Sequence, residues 1–169
     1  IRQIYIALKR NKNFGSIVDI RAKNLPKIDI FTYSFPCTDL STIGNQAGLE
    51  IGTRSGLLWE VKRVLSELKL LKRLPKYLLM ENVKNLFSSN HVDGWNIFAS
   101  FLESLGYKNS IMVLNAKEFG IPQNRERAFC ISELDGTDEI IVEAKNSSVN
   151  IHDFLDLNND SLIEEYKEV

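Results

Sequence analysis

Four residues that could do chemistry stand where the chain leaves or enters an apolar run. Cys37 follows the run DIFTYSFP, Glu81 follows YLLM, and Arg125 and Arg127 precede AFCIS. A thiol beside a loop can act as a nucleophile, and a carboxylate can act as a proton donor. Guanidinium groups hold carbonyls, carboxylates or phosphates. The set therefore contains a nucleophile, an acid and an oxygen-binding pair.

Each of these residues also has an ordinary structural explanation. A free cysteine is often a small buried residue, a glutamate can cap a turn or pair with a lysine, and charged residues protect exposed edge strands. The second cysteine, Cys130, lies inside AFCIS and is expected to be a packing residue without polar neighbours. In extended backbone Gln123, Arg125 and Arg127 would share one side, with Glu126 on the other.

A cysteine, an acid and an arginine at neighbouring strand ends suit conjugate addition to a pyrimidine. The thiolate adds to C6 while the acid interacts with N3 and the arginine holds O2, where negative charge develops. C5 then becomes nucleophilic and can accept a methyl group, after which loss of the C5 proton and β-elimination release the cysteine. His91 and His152 lie far apart, so we expect neither a hydrolytic triad nor a metal site.

The patterns between these residues predict an α/β fold with a doubly wound, mostly parallel sheet that is covered on both faces. Apolar spacing predicts helices over 57–71 and 95–105, the second ended by Gly106, and the tail of a further helix before residue 13. Ligands of such sheets bind at the carboxyl ends of strands. Short apolar runs predict buried strands at 16–20, 29–35, 77–83, about 107–114 and 127–132. The segments 150–157 and 161–169 are expected to form either short terminal helices or a frayed tail.

Length and composition limit the possible classes of protein. The 169 residues suit one domain with a real core, and the net charge of −1 excludes an overall basic surface. Two cysteines argue against a disulfide framework and favour the reducing cytoplasm. No apolar run has membrane-spanning length, and the first residues do not resemble a signal peptide. We expect no membrane partner.

Four segments in order resemble the motifs of the bacterial DNA (cytosine-5) methyltransferases: FPCTDLS, GTRSGLLWEV, MENVKNL and NAKEFGIPQNRERAF. The resemblance covers about residues 14 to 133. It implies a Rossmann-like fold that uses S-adenosylmethionine to methylate C5 of a cytosine flipped out of double-stranded DNA, as in restriction-modification systems. It also implies Cys37 as the nucleophile, Glu81 as the N3 contact, and Arg127 as the O2 contact supported by Arg125.

The same resemblance implies further binding residues. The loop 38–56 would close over the DNA. Residues implied to bind the cofactor are Asp19, at its adenine, with Pro36 and Leu57. Residues implied to bind the substrate are Ser41, Arg54, Asn82 and Gln123.

Two features of the family are not found in the sequence. The glycine-rich cofactor loop Phe-x-Gly-x-Gly is absent, and nothing past residue 133 resembles a target-recognition domain. We therefore expect an incomplete fold, with residues 1–135 as part of the catalytic domain and 136–169 as a C-terminal tail leading toward an absent target-recognition region. The chain would be either a fragment of the catalytic domain or one part of a split enzyme, in which a complementing chain carries the missing motifs. Two alternatives stay open, a non-catalytic remnant that binds a partner or DNA, and a methyltransferase of RNA cytosine.

Overall fold

A computed structural model describes residues 13–35, 57–88, 92–144 and 151 of the chain. In order they form β1 (Ile30–Tyr33), α1 (Leu58–Leu70), β2 (Tyr77–Val83), α2 (Val92–Ser104), β3 (Tyr107–Asn115) and β4 (Glu126–Leu134). Short 3₁₀ turns lie at Ile17–Asp19, Ala22–Asn24, Lys84–Phe87 and Ala116–Phe119. No helix in this described part is both long and apolar enough to cross a membrane.

The four strands form one mixed sheet in the order β1-β2-β4-β3. β1 and β2 are parallel, whereas β4 runs antiparallel to both β2 and β3. The predicted α/β class is confirmed: of the four described strands, β1, β2 and β3 run in one direction and β4 runs against them. β4 is antiparallel to β3 because the link between them, residues 116–125, is too short for the helical crossover that parallel neighbours need.

Both helices pack on one face of this sheet. Alternate residues of β2, Leu78 and Met80, are fully buried beneath them. An aromatic group fills the centre, with the ring of Phe98 within 6.4 Å of the rings of Trp59 and Trp95. The opposite face carries no helix among the described residues, so they do not form the second layer of a doubly wound fold. That open face carries Glu81, which alternates with the buried positions.

The run at 16–20 is not a strand. It forms the 3₁₀ turn Ile17–Asp19, and the Ser16 side chain accepts a hydrogen bond from the Val18 N–H. The carbonyl of Ile17 accepts from the Ile20 N–H and from Arg63 of α1, so it is not available to a sheet. Tertiary contacts override the β-branched composition here.

The predicted end of the second helix is confirmed. Gly106 has a φ of +101°, the left-handed conformation that favours glycine after a helix. The expected helix before residue 13 and the loop 38–56 lie outside the described residues. So do the terminal helices, apart from residue 151, and the division between 135 and 136 stays a prediction.

Candidate active site

The ends of three strands meet at one edge of the sheet. β1 and β2 both run toward this edge, and β4 begins there because it is antiparallel to β2. Val83 lies opposite Arg127 in that pairing, and Glu81 is two residues before Val83 on the same face. The edge therefore brings together residues that are far apart in sequence.

Glu81 and Arg127 form an ion pair across β2 and β4. Arg127 Nε lies 3.2 Å from Glu81 Oε1, and Arg127 Nη1 donates to the carbonyl of Glu126 at 2.8 Å. Ser34, just after β1, donates from its hydroxyl to Glu81 Oε2 at 3.4 Å. An acid and a guanidinium are thus held within reach of the segment that leads to Pro36 and Cys37.

A pocket of about 430 Å³ opens at this pair, and we call it the Glu81 pocket. Its polar groups are Glu81 and two guanidiniums, and its other walls are apolar. It is lined by Glu81, Leu114, Ala116, Phe119, Arg125, Arg127, Phe129 and Val142. Apolar walls with a few polar groups are typical of a site for a flat organic ring.

Glu81 is partly exposed and charge-paired, although it follows the apolar run YLLM in the sequence. The Glu81 side chain is 40% exposed and is paired with Arg127, whose side chain is 24% exposed. The sequence shows that Glu81 ends an apolar strand, but it does not show that alternate residues of that strand face an open side of the sheet. The carboxylate is therefore already bound to the guanidinium that the sequence assigned to a separate role.

Gln123, Arg125 and Arg127 all line one groove, but only Arg125 and Arg127 also line the Glu81 pocket beside it. β4 begins only at Glu126, and the Gln123 N–H donates to the Ile121 carbonyl at 2.7 Å in a turn. The alternation of a strand does not extend back to Gln123. Glu126 lies on the opposite face from Arg127, as predicted.

Asn82 faces away from the Glu81 pocket. Its side chain is buried, with 3% of the residue exposed. Its Nδ2 donates to the carbonyl of Phe35 at 3.2 Å, and its Oδ1 accepts from the Val83 N–H at 2.8 Å. Both ends of the amide are thus bound to backbone, so its placement does not support the predicted contact with substrate. It ties β2 to the residue that precedes Pro36.

Of the two cysteines, Cys130 lies among the described residues and Cys37 does not. Cys130 is fully buried in the core, as predicted, and burial raises the pKa of its thiol to about 11. Its Sγ does have a polar neighbour, the Ser132 hydroxyl at 3.6 Å, which the sequence did not predict. Cys37 lies outside the described residues, as do Pro36, Ser41 and Arg54, so their roles stay predictions.

Two implied cofactor residues, Asp19 and Leu57, lie in the described part. Asp19 is exposed on the turn Ile17–Asp19, and its carboxylate has no hydrogen-bond or ion-pair partner among the described residues. Leu57 is half-buried directly before α1. The turn packs against α1 through the hydrogen bond from Arg63 to Ile17. The turn that carries Asp19 thus packs on the helix that follows Leu57, and a carboxylate acceptor and an apolar side chain are groups that suit the adenine end of a nucleoside.

Asn115 is a positioning residue that sequence reasoning missed. Its Oδ1 accepts from the backbone N–H of Lys117 at 3.2 Å and of Arg125 at 3.1 Å, and its Nδ2 donates to Asn124 at 2.7 Å. These bonds close the base of the loop 116–125 and fix the position of the Arg125 backbone. The available signal was an Asn at a strand end, since such a side chain readily caps the next turn.

The comparisons with known proteins agree with this geometry. A family model described as C-5 cytosine-specific DNA methylase matches residues 1–168. The chain belongs to this family. The Glu-Asn-Val and Gln-x-Arg-x-Arg segments of this chain supply the charged residues of the Glu81 pocket, which are Glu81, Arg125 and Arg127.

Two curated relatives are methyltransferases of bacteria. M2.ScrFI, a Type II methyltransferase of Lactococcus lactis subsp. cremoris, is 50% identical over 161 residues, 94% of this chain and 43% of the relative. M.SssI, an orphan methyltransferase of Spiroplasma monobiae, is 49% identical over 140 residues, 80% of this chain and 36% of the relative. The chain spans less than half the length of these two relatives.

Solved structures share the fold. The Entamoeba histolytica methyltransferase EhMeth gives a TM-score of 0.69 at 19% identity, covering 95% of this chain and 50% of that one. The S. pombe Dnmt2 methyltransferase gives a TM-score of 0.61 at 21% identity, covering 86% of this chain and 46% of that one. The incomplete methyltransferase fold that the sequence predicts is thereby confirmed.

Proposed function

We propose that this chain is the catalytic part of a DNA (cytosine-5) methyltransferase, which transfers a methyl group to C5 of a cytosine flipped out of double-stranded DNA. One observation carries the proposal: the ion pair of Glu81 and Arg127 in the wall of an apolar pocket, next to the end of β1. The pocket suits a pyrimidine ring, and the charged groups of Glu81 and Arg127 match the N3 and O2 edge of cytosine. Four motifs in the family's order support the same assignment.

Each residue has a separate role in the proposed reaction. The Cys37 thiolate adds to C6 of the ring, with Glu81 providing a proton or hydrogen bond at N3 and Arg127 stabilising the negative charge on O2. Arg125, in the same wall, adds positive potential. Base-catalysed loss of the C5 proton and elimination of the Cys37 thiolate then restore the ring after C5 has been alkylated.

The ion pair has a consequence for base entry. Glu81 and Arg127 now bind one another at 3.2 Å, so a cytosine edge must replace their mutual contact with its own N3 and O2 contacts. The exchange keeps both charged groups satisfied and lowers the cost of opening the pair. The hydroxyl of Ser34 holds the second carboxylate oxygen during this exchange.

The proposed cofactor is S-adenosylmethionine, which would supply the methyl group for C5. Asp19 and Leu57 fit its adenine end, since an exposed carboxylate can accept from the exocyclic amine and an apolar side chain can pack on the ring. Pro36 would lie beside them by resemblance. Groups for the rest of the cofactor, and for sequence recognition, would come from segments outside this sequence, in the same polypeptide or in a complementing chain.

Three further assignments complete the proposal. Ser41 and Arg54 would contact DNA from the loop 38–56, as the resemblance implies. Gln123 would contact the substrate from the groove beside the Glu81 pocket. Asn82 would act as a positioning residue for the segment that carries Cys37. We place the reaction in the cytoplasm, where bacterial DNA is reached without crossing a membrane.

A chimera tests this proposal. The chain would replace the matching 43% of M2.ScrFI, so that the rest of that relative supplies the segments outside the match. We expect transfer of labelled methyl groups to duplex DNA, with 5-methylcytosine as the product, and loss of transfer in Cys37→Ser. A folded chimera without transfer would favour the non-catalytic remnant. Transfer to a matched RNA in preference to DNA would favour the RNA methyltransferase.

A further inference from the structure

A second concave site adjoins the Glu81 pocket, and we call it the polar groove. It has a volume of about 430 Å³ and shares Arg125 and Arg127 with the pocket. Unlike the pocket, it is lined almost entirely by charged and amide side chains. Its lining residues are Val83, Lys84, Asn85, Gln123, Asn124, Arg125, Glu126 and Arg127. Lys84, Asn124 and Glu126 have no role in the proposed reaction.

The polar groove is locally positive in a chain whose net charge is −1. Lys84, Arg125 and Arg127 supply three positive charges against the single carboxylate of Glu126. The Arg127 charge is already matched by Glu81, whereas the Arg125 side chain has no hydrogen-bond or ion-pair partner among the described residues. The groove therefore has unmatched positive charge aimed at solvent, as an anion site requires.

Lys84 is held in place by packing of the turn that carries it. The turn Lys84–Phe87 follows β2 directly, Leu86 within it is fully buried, and the Phe87 ring packs 5.6 Å from the Trp95 ring. The ammonium group is paired with Glu126, and the side chains of Lys84 and Glu126 are 58% and 43% exposed. Such an exposed pair contributes little stability, so an anion can displace the carboxylate at small cost.

We propose that the polar groove binds a backbone phosphodiester of the DNA strand that carries the flipped cytosine, with Lys84 and Arg125 as the phosphate contacts. This rests on the proposed function, because a base and its own phosphate are joined by one sugar and a pocket for one needs an anion site beside it. Lys84 exchanges the Glu126 carboxylate for the phosphate. Glu126 thus competes with DNA for Lys84 and weakens binding.

The expected effect of losing one phosphate contact follows from counterion release. Each phosphate contact contributes about 0.9 to the slope of log affinity against log salt concentration. Over the tenfold change from 1 M to 0.1 M salt, one contact therefore strengthens binding about eightfold. Lys84→Gln should therefore weaken duplex binding about eightfold at 0.1 M salt and reduce the slope by about 1. Glu126→Gln should tighten binding, because Lys84 no longer has a carboxylate competitor.

Fluorescence anisotropy with a labelled duplex tests this on the full 169-residue chain, from 20 mM to 200 mM salt, without cofactor. Lys72→Gln is the matched control, since Lys72 follows α1 at the opposite end of the sheet and is exposed. We expect the control to bind as the unaltered chain does. Inorganic phosphate at constant ionic strength should not displace the duplex, since the site is built for DNA.

Several results would overturn the inference. They are the absence of duplex binding at 20 mM salt, equal losses in Lys84→Gln and Lys72→Gln, or no tightening in Glu126→Gln. Displacement by millimolar inorganic phosphate would make the groove a general anion site, and tighter binding of a matched RNA would give it a different partner. Because this assay involves no methyl transfer, failure of the proposed reaction would show in the chimera and leave these binding results intact.

Discussion

Substitution of Asn82 tests how the site is positioned. Asn82→Ala removes the hydrogen bond to the Phe35 carbonyl and the one from the Val83 N–H. Phe35 is itself 5% exposed, so water cannot readily replace the lost amide. Leaving a buried backbone group without its partner costs about 1 to 3 kcal/mol, and we expect a loss near 3 kcal/mol for the two groups together.

The same substitution should slow the chemistry, because Phe35 lies two residues before Cys37. A shift of about 1 Å in a reacting group can cost about 100-fold in rate, so we expect at least a tenfold loss of methyl transfer in the chimera. Urea unfolding measures the stability, and transfer is measured at temperatures where the variant stays folded.

Asn109→Ala is the matched control for this prediction. Asn109 also makes two amide hydrogen bonds, to the Ala99 carbonyl at 3.3 Å and from the Ser132 hydroxyl at 2.7 Å. It lies opposite Ser132, toward the other end of the sheet. The control should lose stability but keep its transfer rate. Equal transfer rates in folded Asn82→Ala and Asn109→Ala would refute the positioning role.

Three further predictions concern other parts of the molecule. Arg127→Lys keeps the positive charge but loses the planar guanidinium, and we expect about a 100-fold loss in the rate of methyl transfer. Arg125→Lys should lose less. If steady-state rates showed the larger loss in Arg125→Lys, the assignment of Arg127 to O2 would be contradicted. The hydrogen bond from the Ala22 N–H lowers the pKa of Glu67, so ionised Glu67 stabilises the fold above pH 4.5 and loses this effect as the pH falls through the lowered pKa. Urea unfolding of Glu67→Gln should therefore show a lower free energy of unfolding at pH 7, and this deficit should disappear in acid. A deficit that persists in acid would exclude the ionisation of Glu67 as its cause. Phe98→Ala empties a fully buried site and should cost about 3 to 5 kcal/mol in urea unfolding, whereas a loss under 1 kcal/mol would mean that the aromatic cluster is not the centre of the core.

Local pattern was enough to predict the elements that pack by themselves. YLLMENV forms β2 at the predicted residues, and the helical spacing over 57–71 gives α1 at Leu58–Leu70. In both segments, the apolar residues within the segment itself are enough to bury one face of the element. The run at 16–20 had similar composition, but the Arg63 guanidinium binds its Ile17 carbonyl, a contact 46 residues away that no local pattern contains.

The sequence predicted which residues form the site, but it did not predict how their side chains contact one another. The sequence pointed to Glu81, Arg125 and Arg127, and the sheet does bring all three to one pocket. It did not show that Glu81 and Arg127 pair with each other, because that depends on the antiparallel register of β2 and β4. Nor did it show that Asn82 faces the core, which follows from its alternation with Glu81 along β2.

Covalent trapping tests the central claim most directly. A duplex with 5-fluorocytosine at the target position cannot lose its C5 substituent as a proton, so the proposed adduct between cysteine and C6 accumulates. With S-adenosylmethionine, the chimera should form a denaturation-resistant adduct that maps to Cys37, with none in Cys37→Ser and a much slower one in Glu81→Gln. A folded chimera that binds the duplex yet forms no adduct, or forms it at Cys130, would contradict the account.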